Sequence, residues 1–297
     1  MAKSKVKTWS TPVINEKKHP VPCNLCRGYS FKAALFCEGF SYVRCTSCGL
    51  VQINPQPAEE EIKKRYNSFL ISGCSEESYL SYELKNEEAF LQLQLLALKD
   101  AGFNELEMEL LKNPNGNKPR ILDIGCATGR LLYHLKDRGW NTIGVEISSA
   151  EAEYAKNKNL DVRNLPLEEN NFPEGSFNVI LASHLLEHLN DPASLIREAF
   201  RILGGGGSFF ITTPNIKSFQ AQLFGSRWRS AIFDHLYLFS KKTLRKMLEQ
   251  NGFSIEKIAT WGGLAAGTAS KPVKNFFDKA VKRLGLGDVM IIRAKKK

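Results

Sequence analysis

The spacing of apolar positions changes along the chain, and each change predicts a different kind of element. Between Cys26 and Cys45, Phe31, Phe36, Phe40, Tyr42 and Val43 fall in short bursts, the mark of small strands separated by turns. From Glu59 to Lys112 the period lengthens: Leu80, Leu84, Leu91, Leu95 and Leu98 mark one helical face, and Ala58-Glu-Glu-Glu-Ile places acid where a helix start is positive. Asn113-Pro-Asn-Gly-Asn-Lys-Pro119 breaks that run as a turn cluster. Beyond it, strand and helix periods alternate. Ile121, Leu122 and Ile124 precede Leu131, Leu132 and Leu135, and Thr142–Val145 precedes a helix from about Ser149 with Ser148 or Ser149 as N-cap. A short strand near Leu160–Arg163, a strand leading to Ile180, a helix from Pro192 to Leu203 and a strand over Ser208–Thr213 follow. The last elements are a helix over Lys241–Asn251 closed by Gly252, a strand over Phe253–Thr260 and another over Val289–Arg293. Alternation of this kind predicts an α/β fold.

The most informative junction is Arg120-Ile-Leu-Asp-Ile-Gly-Cys-Ala-Thr-Gly-Arg130, a strand, a tight turn and a helix start. Glycine there permits positive φ and close approach of a ligand, while the helix start offers unpaired N–H groups. A dinucleotide fingerprint needs further glycines where Ala127 and Arg130 stand, so that reading fails. Asp123, the shortened Gly125-x-x-x-Gly129 turn and Glu146 at the end of the next apolar run resemble instead the class I S-adenosylmethionine (SAM) methyltransferases. The resemblance implies a Rossmann-like seven-stranded sheet with helices on both faces, and a cofactor site at the turn. It places Asp123, Gly125, Cys126 and Gly129 against the methionine end, Glu146 and Ile147 at the ribose, Leu167 and Glu168 beside the adenine, and Ser183 at the neighbouring strand end. An ionised carboxylate only accepts hydrogen bonds, which suits Glu146 to a diol.

The same resemblance marks a second edge. Leu181-Ala-Ser-His-Leu-Leu-Glu-His-Leu189 follows a strand at the carboxyl side of the sheet, where open α/β folds bind ligands. His188 and His235 are the candidate catalytic groups, since histidine titrates near neutrality as a base for a hydroxyl acceptor must. His184, Glu187 and His188 match an inverted zinc-helix spacing, but Asp191-Pro192 cuts the segment short, and the metal reading is set aside. Gly204–Gly207 reads as a turn between helix and strand, because no Gly-Lys-Ser/Thr follows it. Thr213-Pro-Asn215 resembles the family's stretch bordering the acceptor, and the aromatic residues of 216–239 predict an acceptor lid.

Cys23-x-x-Cys26 and Cys45-x-x-Cys48 are spaced for one tetrahedral four-sulfur site, with zinc the usual occupant and a structural role expected of so closed a site. Cys37 between them reads as a small buried hydrophobe. The chain thus divides into a basic arm (1–20, with an inert His19), a zinc ribbon (21–57), a helical cap (58–118) and a SAM-binding core (119–297) carrying the lid and a basic amphipathic insert (271–285).

Composition narrows the chemistry only modestly. At 297 residues and 43% hydrophobic content the chain suits a packed core, and paired Cys-x-x-Cys motifs without a secretory leader predict a cytoplasmic protein rather than a disulfide scaffold. The net charge of +10 is concentrated late: residues 221–297 hold sixteen Lys/Arg against five Asp/Glu. Such concentration points to an anionic partner: acidic lipid, a phosphate-bearing acceptor or nucleic acid. Residues 21–120 are net acidic, which disfavours nucleic acid. The expectation is methyl transfer, most readily to oxygen, on a small-molecule, lipid-linked or glycan acceptor; the basic amphipathic insert packs over the acceptor pocket by default, with peripheral contact to an acidic membrane surface the other reading. A zinc-ribbon RNA methyltransferase and a SAM-binding module without turnover are the alternatives.

Overall fold

The structure, a computed structural model, describes residues 20–37, 39–57, 76–112, 117–264 and 270–297. The expected arm with His19, the acidic helix start after Ala58 and part of the 113–119 turn cluster lie outside the described residues. In chain order the strands are β1 (Phe31–Cys37), β2 (Phe40–Cys45), β3 (Val51–Ile53), β4 (Arg120–Ile124), β5 (Asn141–Val145), β6 (Asp161–Arg163), β7 (Phe177–Ser183), β8 (Leu203–Pro214), β9 (Tyr237–Leu238), β10 (Phe253–Trp261) and β11 (Val289–Lys296). The helices are α1 (Glu76–Asp100), α2 (Phe103–Leu111), α3 (Arg130–Asp137), α4 (Ser149–Asn157), α5 (Pro192–Ile202), α6 (Phe219–Phe224), α7 (Lys241–Gln250) and α8 (Lys271–Leu284).

Seven strands form one sheet in the order β10-β11-β8-β7-β4-β5-β6. The pairs β8-β7, β7-β4, β4-β5 and β5-β6 are parallel, and β11 enters antiparallel to both β8 and β10. Strand order reverses between β4 and β7, so β4 and β7 open a crevice at their carboxyl ends. Helices cover both faces. On one, Leu91, Leu98, Phe103 and Leu106 of α1 and α2 pack with Ile121, Val179 and Phe210; on the other, Ile196, Ala199, Leu244 and Leu248 of α5 and α7 pack with Ile180, Phe209 and Phe253. Both faces being apolar explains why the central strands read as continuous hydrophobic runs rather than alternating ones. This is the α/β, Rossmann-like sheet that the alternation and the glycine turn predict.

One expectation is corrected. Gly204–Gly207 is not a turn but the opening of β8, which begins at Leu203. The reason is crowding: a Cβ on Gly207 would lie 2.9 Å from the Gly204 carbonyl oxygen and 3.1 Å from that of Asn178. Only glycine lets β8 run this close to β7, where the register shifts between Phe177 and Val179.

The cysteine-bearing hairpins form a second sheet, β1-β2-β3-β9, whose fourth strand comes from residues 237–238. Val51 pairs with Leu238 and Gln52 with Tyr237, and the Ile53 N–H donates to the Leu236 carbonyl at 2.9 Å. Side chains add to the seam: the buried Tyr42 hydroxyl lies 2.8 Å from the carbonyls of both Ile232 and His235, Asn24 Nδ2 donates to Asp191 Oδ1 at 2.9 Å, and Phe40 meets Phe233 edge to face. Among the described residues no helix is long and apolar enough to cross a membrane.

Candidate functional site

At the end of β4 the chain turns sharply. Gly125 and Gly129 both take φ of 74° and Ala127 takes 48°. The first two N–H groups of the turn, Gly125 and Cys126, donate to the Val145 carbonyl, which ties β4's end to β5's. At Gly129 a Cβ would fall 2.6 Å from Leu160 Cδ1, so glycine there serves both φ and space. The strained Ala127 is held from across the turn: its N–H donates to Glu146 Oε2 at 2.9 Å, while Glu146 Oε1 accepts from the Ser148 N–H at 2.8 Å. A carboxylate has about four lone-pair positions, so Glu146 is oriented by two backbone donors with capacity left for a diol.

Three buried acids converge here. Asp123, Glu146 and Glu151 are 3%, 7% and 5% exposed. Among the described residues Glu151 Oε1 is buried without a hydrogen-bond partner. Burial and then the Glu146 charge hold the Asp123 carboxyl well above the usual range. Glu146 is raised by burial in spite of its backbone donors, and Glu151 is pushed up to about 8 by burial and by Glu146. Buried acids short of partners fit a ligand that brings positive charge and hydroxyl donors, as the ammonium, sulfonium and ribose of SAM would.

The other expected cofactor residues are distributed unevenly. Leu167 is buried on a short 3-10 turn, Glu168 beside it is exposed, Ile147 is 38% exposed and Ser183 is half-buried at the end of β7. Cys126 turns its sulfur away from the crevice: it is buried with Leu132, Ala152, Ala155, Leu160 and Val162, and a Cβ on Gly144 would lie 2.6 Å from its Sγ. Any contact Cys126 makes with a ligand is through its backbone. Glu151, read from sequence only as charge at a helix start, joins this acid cluster in a way that spacing did not reveal. Its signal was its place two residues into the helix that follows Glu146. Helix α1 closes over the turn through Glu87 Oε1, which accepts from Thr128 Oγ1 at 3.2 Å, and Glu88 Oε2, 3.0 Å from Arg130 Nη2.

The second cluster stands where β7 and β8 end. His184 has φ of 51°, and a 3-10 turn over Leu186–His188 carries Glu187 inward to full burial. Glu187 Oε2 accepts from Thr213 Oγ1 at 3.0 Å and Oε1 lies 3.2 Å from His184 Nδ1. Burial opposes its charge, but the His184 hydrogen bond and the nearby imidazoles outweigh it and hold Glu187 down to about 2. His188 Nδ1 lies 2.9 Å from the Asp234 carbonyl and His235 Nδ1 2.8 Å from the Ser230 carbonyl. A carbonyl only accepts, so Nδ1 carries the proton on each ring and Nε2 is the acceptor atom. The rings meet edge to face at 4.7 Å. Burial lowers the His188 pKa, and burial with the facing His188 brings His235 down to about 4. Both expected catalytic histidines are thereby brought together as neutral bases beside an ionised carboxylate.

Ligand atoms of Glu187, His188 and His235 all lie within 4.8 Å of one another. The sequence reading weighed His184, Glu187 and His188 for metal and set them aside; the third member of the cluster is His235, forty-seven residues downstream of His188. The Thr213-Pro-Asn215 stretch serves the framework. Thr213 holds Glu187, and the fully buried Asn215 donates through Nδ2 to the Gly287 carbonyl.

The four sulfurs of Cys23, Cys26, Cys45 and Cys48 are likewise within 4.8 Å of one another, with Cys23–Cys48 and Cys26–Cys45 Sγ separations of 3.4 Å. A tetrahedral zinc with bonds of about 2.3 Å needs sulfurs about 3.8 Å apart, so the donor set fits. Cys37 stands apart, its sulfur 3.8 Å from the Ala231 carbonyl oxygen.

Comparison with known proteins agrees with this geometry. The chain is 35% identical over 104 residues to a ubiquinone biosynthesis O-methyltransferase of Pseudomonas aeruginosa, covering 32% of this chain and 44% of that one. It is 28% identical over 119 residues to the protein of the same description from Acinetobacter baylyi, covering 37% and 50%. The chain thus spans about half the length of the curated relatives it matches. A solved SAM-dependent methyltransferase from Thermotoga maritima superposes with a TM-score of 0.51 at 22% identity, over 73% of this chain and 97% of that one, a likeness of fold. The family model described as a methyltransferase domain matches residues 95–258, from the end of the covering helix through the glycine turn to β10. That is more than half of the 297 residues, and the chain belongs to the methyltransferase-domain family, in its class I, SAM-dependent form.

Proposed function

We propose that this chain transfers the methyl group of SAM to a hydroxyl of a small-molecule, lipid-linked or glycan acceptor. The observation that carries the reading is the pairing, on one sheet edge, of an acid-lined glycine turn with two neutral imidazoles. The bound cofactor supplies an electrophilic sulfonium methyl, and the protein's work is placement and proton handling. Glu146 and Asp123 hold the cofactor's hydroxyls and positive charge, and Leu167 borders its base. His188, or His235 behind it, takes the hydroxyl proton at Nε2 as the acceptor oxygen attacks, and Glu187 stabilises the imidazolium that results. Neutral histidines favour a hydroxyl over an amine, which is nucleophilic without a base. The curated relatives' O-methyltransferase descriptions support the same choice.

A second reading of the imidazole cluster rests on its geometry. Two imidazoles fixed at Nδ1 and one carboxylate could hold a divalent cation with open positions for the acceptor's oxygen. In the ribbon, Cys23, Cys26, Cys45 and Cys48 would hold a structural zinc.

The test is incubation of the full chain with isotopically labelled SAM and separated small-molecule, lipid, glycan and RNA fractions of a lysate. Label should enter a lipid, glycan or small-molecule fraction, and should fall with His188→Ala. Label confined to RNA would transfer the assignment to a nucleic-acid methyltransferase, and SAM binding with no transfer to any fraction would leave a module without turnover.

A further inference from the structure

The excess of positive charge near the C-terminus is not spread evenly over the surface. The first half of α7 contributes Lys241, Lys242 and Arg245, and the last turn of α8 contributes Lys282 and Arg283. These five line one open cavity of about 670 Å³ floored by Ile258, Ala259 and Thr260 of β10, and among the described residues no acidic side chain lines it. Two of the five are neutralised from outside: Lys282 by Asp100 at 2.5 Å and Arg245 by Glu249 at 2.8 Å. Among the described residues Lys241, Lys242 and Arg283 have no carboxylate partner.

The cavity is also shaped around one of these cations. Gly285, with φ of 67°, ends α8, and a Cβ there would collide with the Lys241 ammonium. Glycine thus lets Lys241 sit against the helix end while Lys242 and Arg283 stand nearby. Three unpaired like charges around one concavity repel one another, and the arrangement is relieved by an anion with several oxygens.

Its position matters as well. Thr260 pairs with Met290, which pairs with Thr213, the residue that holds Glu187. Two strand spacings amount to about 10 Å, so the backbone of Thr260 at the cavity floor lies about that far across the sheet from the backbone of Thr213.

We infer that this cavity binds the phosphate or diphosphate group of a ligand. The group has two sources, a soluble phosphate ester and an anionic lipid headgroup. The second is open because α8 presents two apolar rows. Phe277 and Val281 face the protein, whereas Val273, Phe276 and Leu284 are 56%, 77% and 68% exposed beside Lys279 and Arg283. The inference stands independently of the methyl-donor reading.

The probe is inorganic diphosphate, titrated calorimetrically into the full chain at about 150 mM salt, where unspecific surface attraction is screened. Saturable binding is expected. The Lys242→Gln/Arg283→Gln double variant should weaken it at least about tenfold, the worth of one charge-assisted contact. SAM affinity, measured on the same samples, should stay within about twofold, which separates failure here from failure of the donor site. Flotation with phosphatidylglycerol and with phosphatidylcholine vesicles distinguishes the sources. Binding to the anionic vesicles alone, competed by diphosphate, assigns the headgroup; diphosphate binding without flotation assigns a soluble ester. Absence of saturable diphosphate binding, or equal binding by the double variant, overturns the inference. So does retention of single-stranded RNA by the wild type, lost in the double variant, when diphosphate does not compete.

Discussion

The glycine-turn corner and the imidazole corner lie on the same sheet edge but are built in opposite ways. Asp123, Gly125, Gly129, Glu146 and Glu151 come from one β-α-β-α stretch of fewer than thirty residues, and backbone hydrogen bonds between adjacent strands fix them. The imidazole corner gathers Tyr42 from the cysteine-bearing sheet, Glu187 and His188 from the end of β7, Thr213 from β8, and Ser230, Asp234 and His235 from the segment before β9. A local site is rigid because its own supersecondary unit specifies it. A site assembled from four distant segments depends on every seam between them, and is open to re-specification at each.

The largest expected effect breaks the second corner while sparing the first. Cys45→Ser should abolish metal uptake by the ribbon, where binding at such sites supplies roughly 10 kcal/mol or more of folding free energy. Metal analysis should show the loss, and hydrogen exchange should quicken at Leu236–Leu238, while SAM affinity holds. Unchanged protection of β9 would show that the lid stands without the ribbon. His188→Ala comes next: turnover should fall on the order of 10²–10⁴-fold with SAM affinity intact, the range for losing a general base. Equal activity would reduce the imidazole pair to packing.

Glu146→Ala addresses the first corner. Calorimetry should find SAM bound roughly 10- to 100-fold more weakly, the worth of one or two hydrogen bonds to a charged group. Unaltered affinity would remove the ribose assignment. Gly144→Ala tests the layer beneath, since its Cβ would meet Cys126 Sγ at 2.6 Å and Leu132 Cδ1 at 2.7 Å. Overpacking there should cost about 1–3 kcal/mol in chemical denaturation.

The smallest effect is a slope against pH. The Glu151 carboxyl is raised from its ordinary value near 4.5 to about 8 in the fold. The folded state therefore holds a proton that the unfolded chain has released, and stability from this group is lost as pH rises from about 4.5 to about 8. Glu151→Gln should flatten that decline, seen as denaturation midpoints compared at pH 5 and 8. A cationic ligand favours the ionised form, so SAM should bind more tightly at pH 8 than at 6.

The legibility of the sequence divides along the same line. The turn at 125–129, the acid at 146, the strand and helix order and the two Cys-x-x-Cys knuckles each declare themselves within a short window, because spacing alone fixes their geometry. Burial of Glu151 and the inward turn of Cys126 depend on what packs against them, and no periodicity encodes that. Both imidazoles, His188 and His235, are named in the sequence, but their contact depends on the segment before β9 folding back across the sheet, which no spacing encodes. The glycine run at 204–207 misled because glycine ordinarily punctuates chains, whereas here it allows two neighbouring backbones to approach.

Joining Val51 and Gln52 to Tyr237 and Leu238 in one hydrogen-bonded ladder means that the cysteine knuckles cannot be exchanged as a cassette. Grafting a foreign knuckle would strip a partner from the segment that carries His235, and deleting it would leave a raw strand edge for another copy to seize. Divergence in acceptor preference would then have to proceed by paired changes on both sides of that seam.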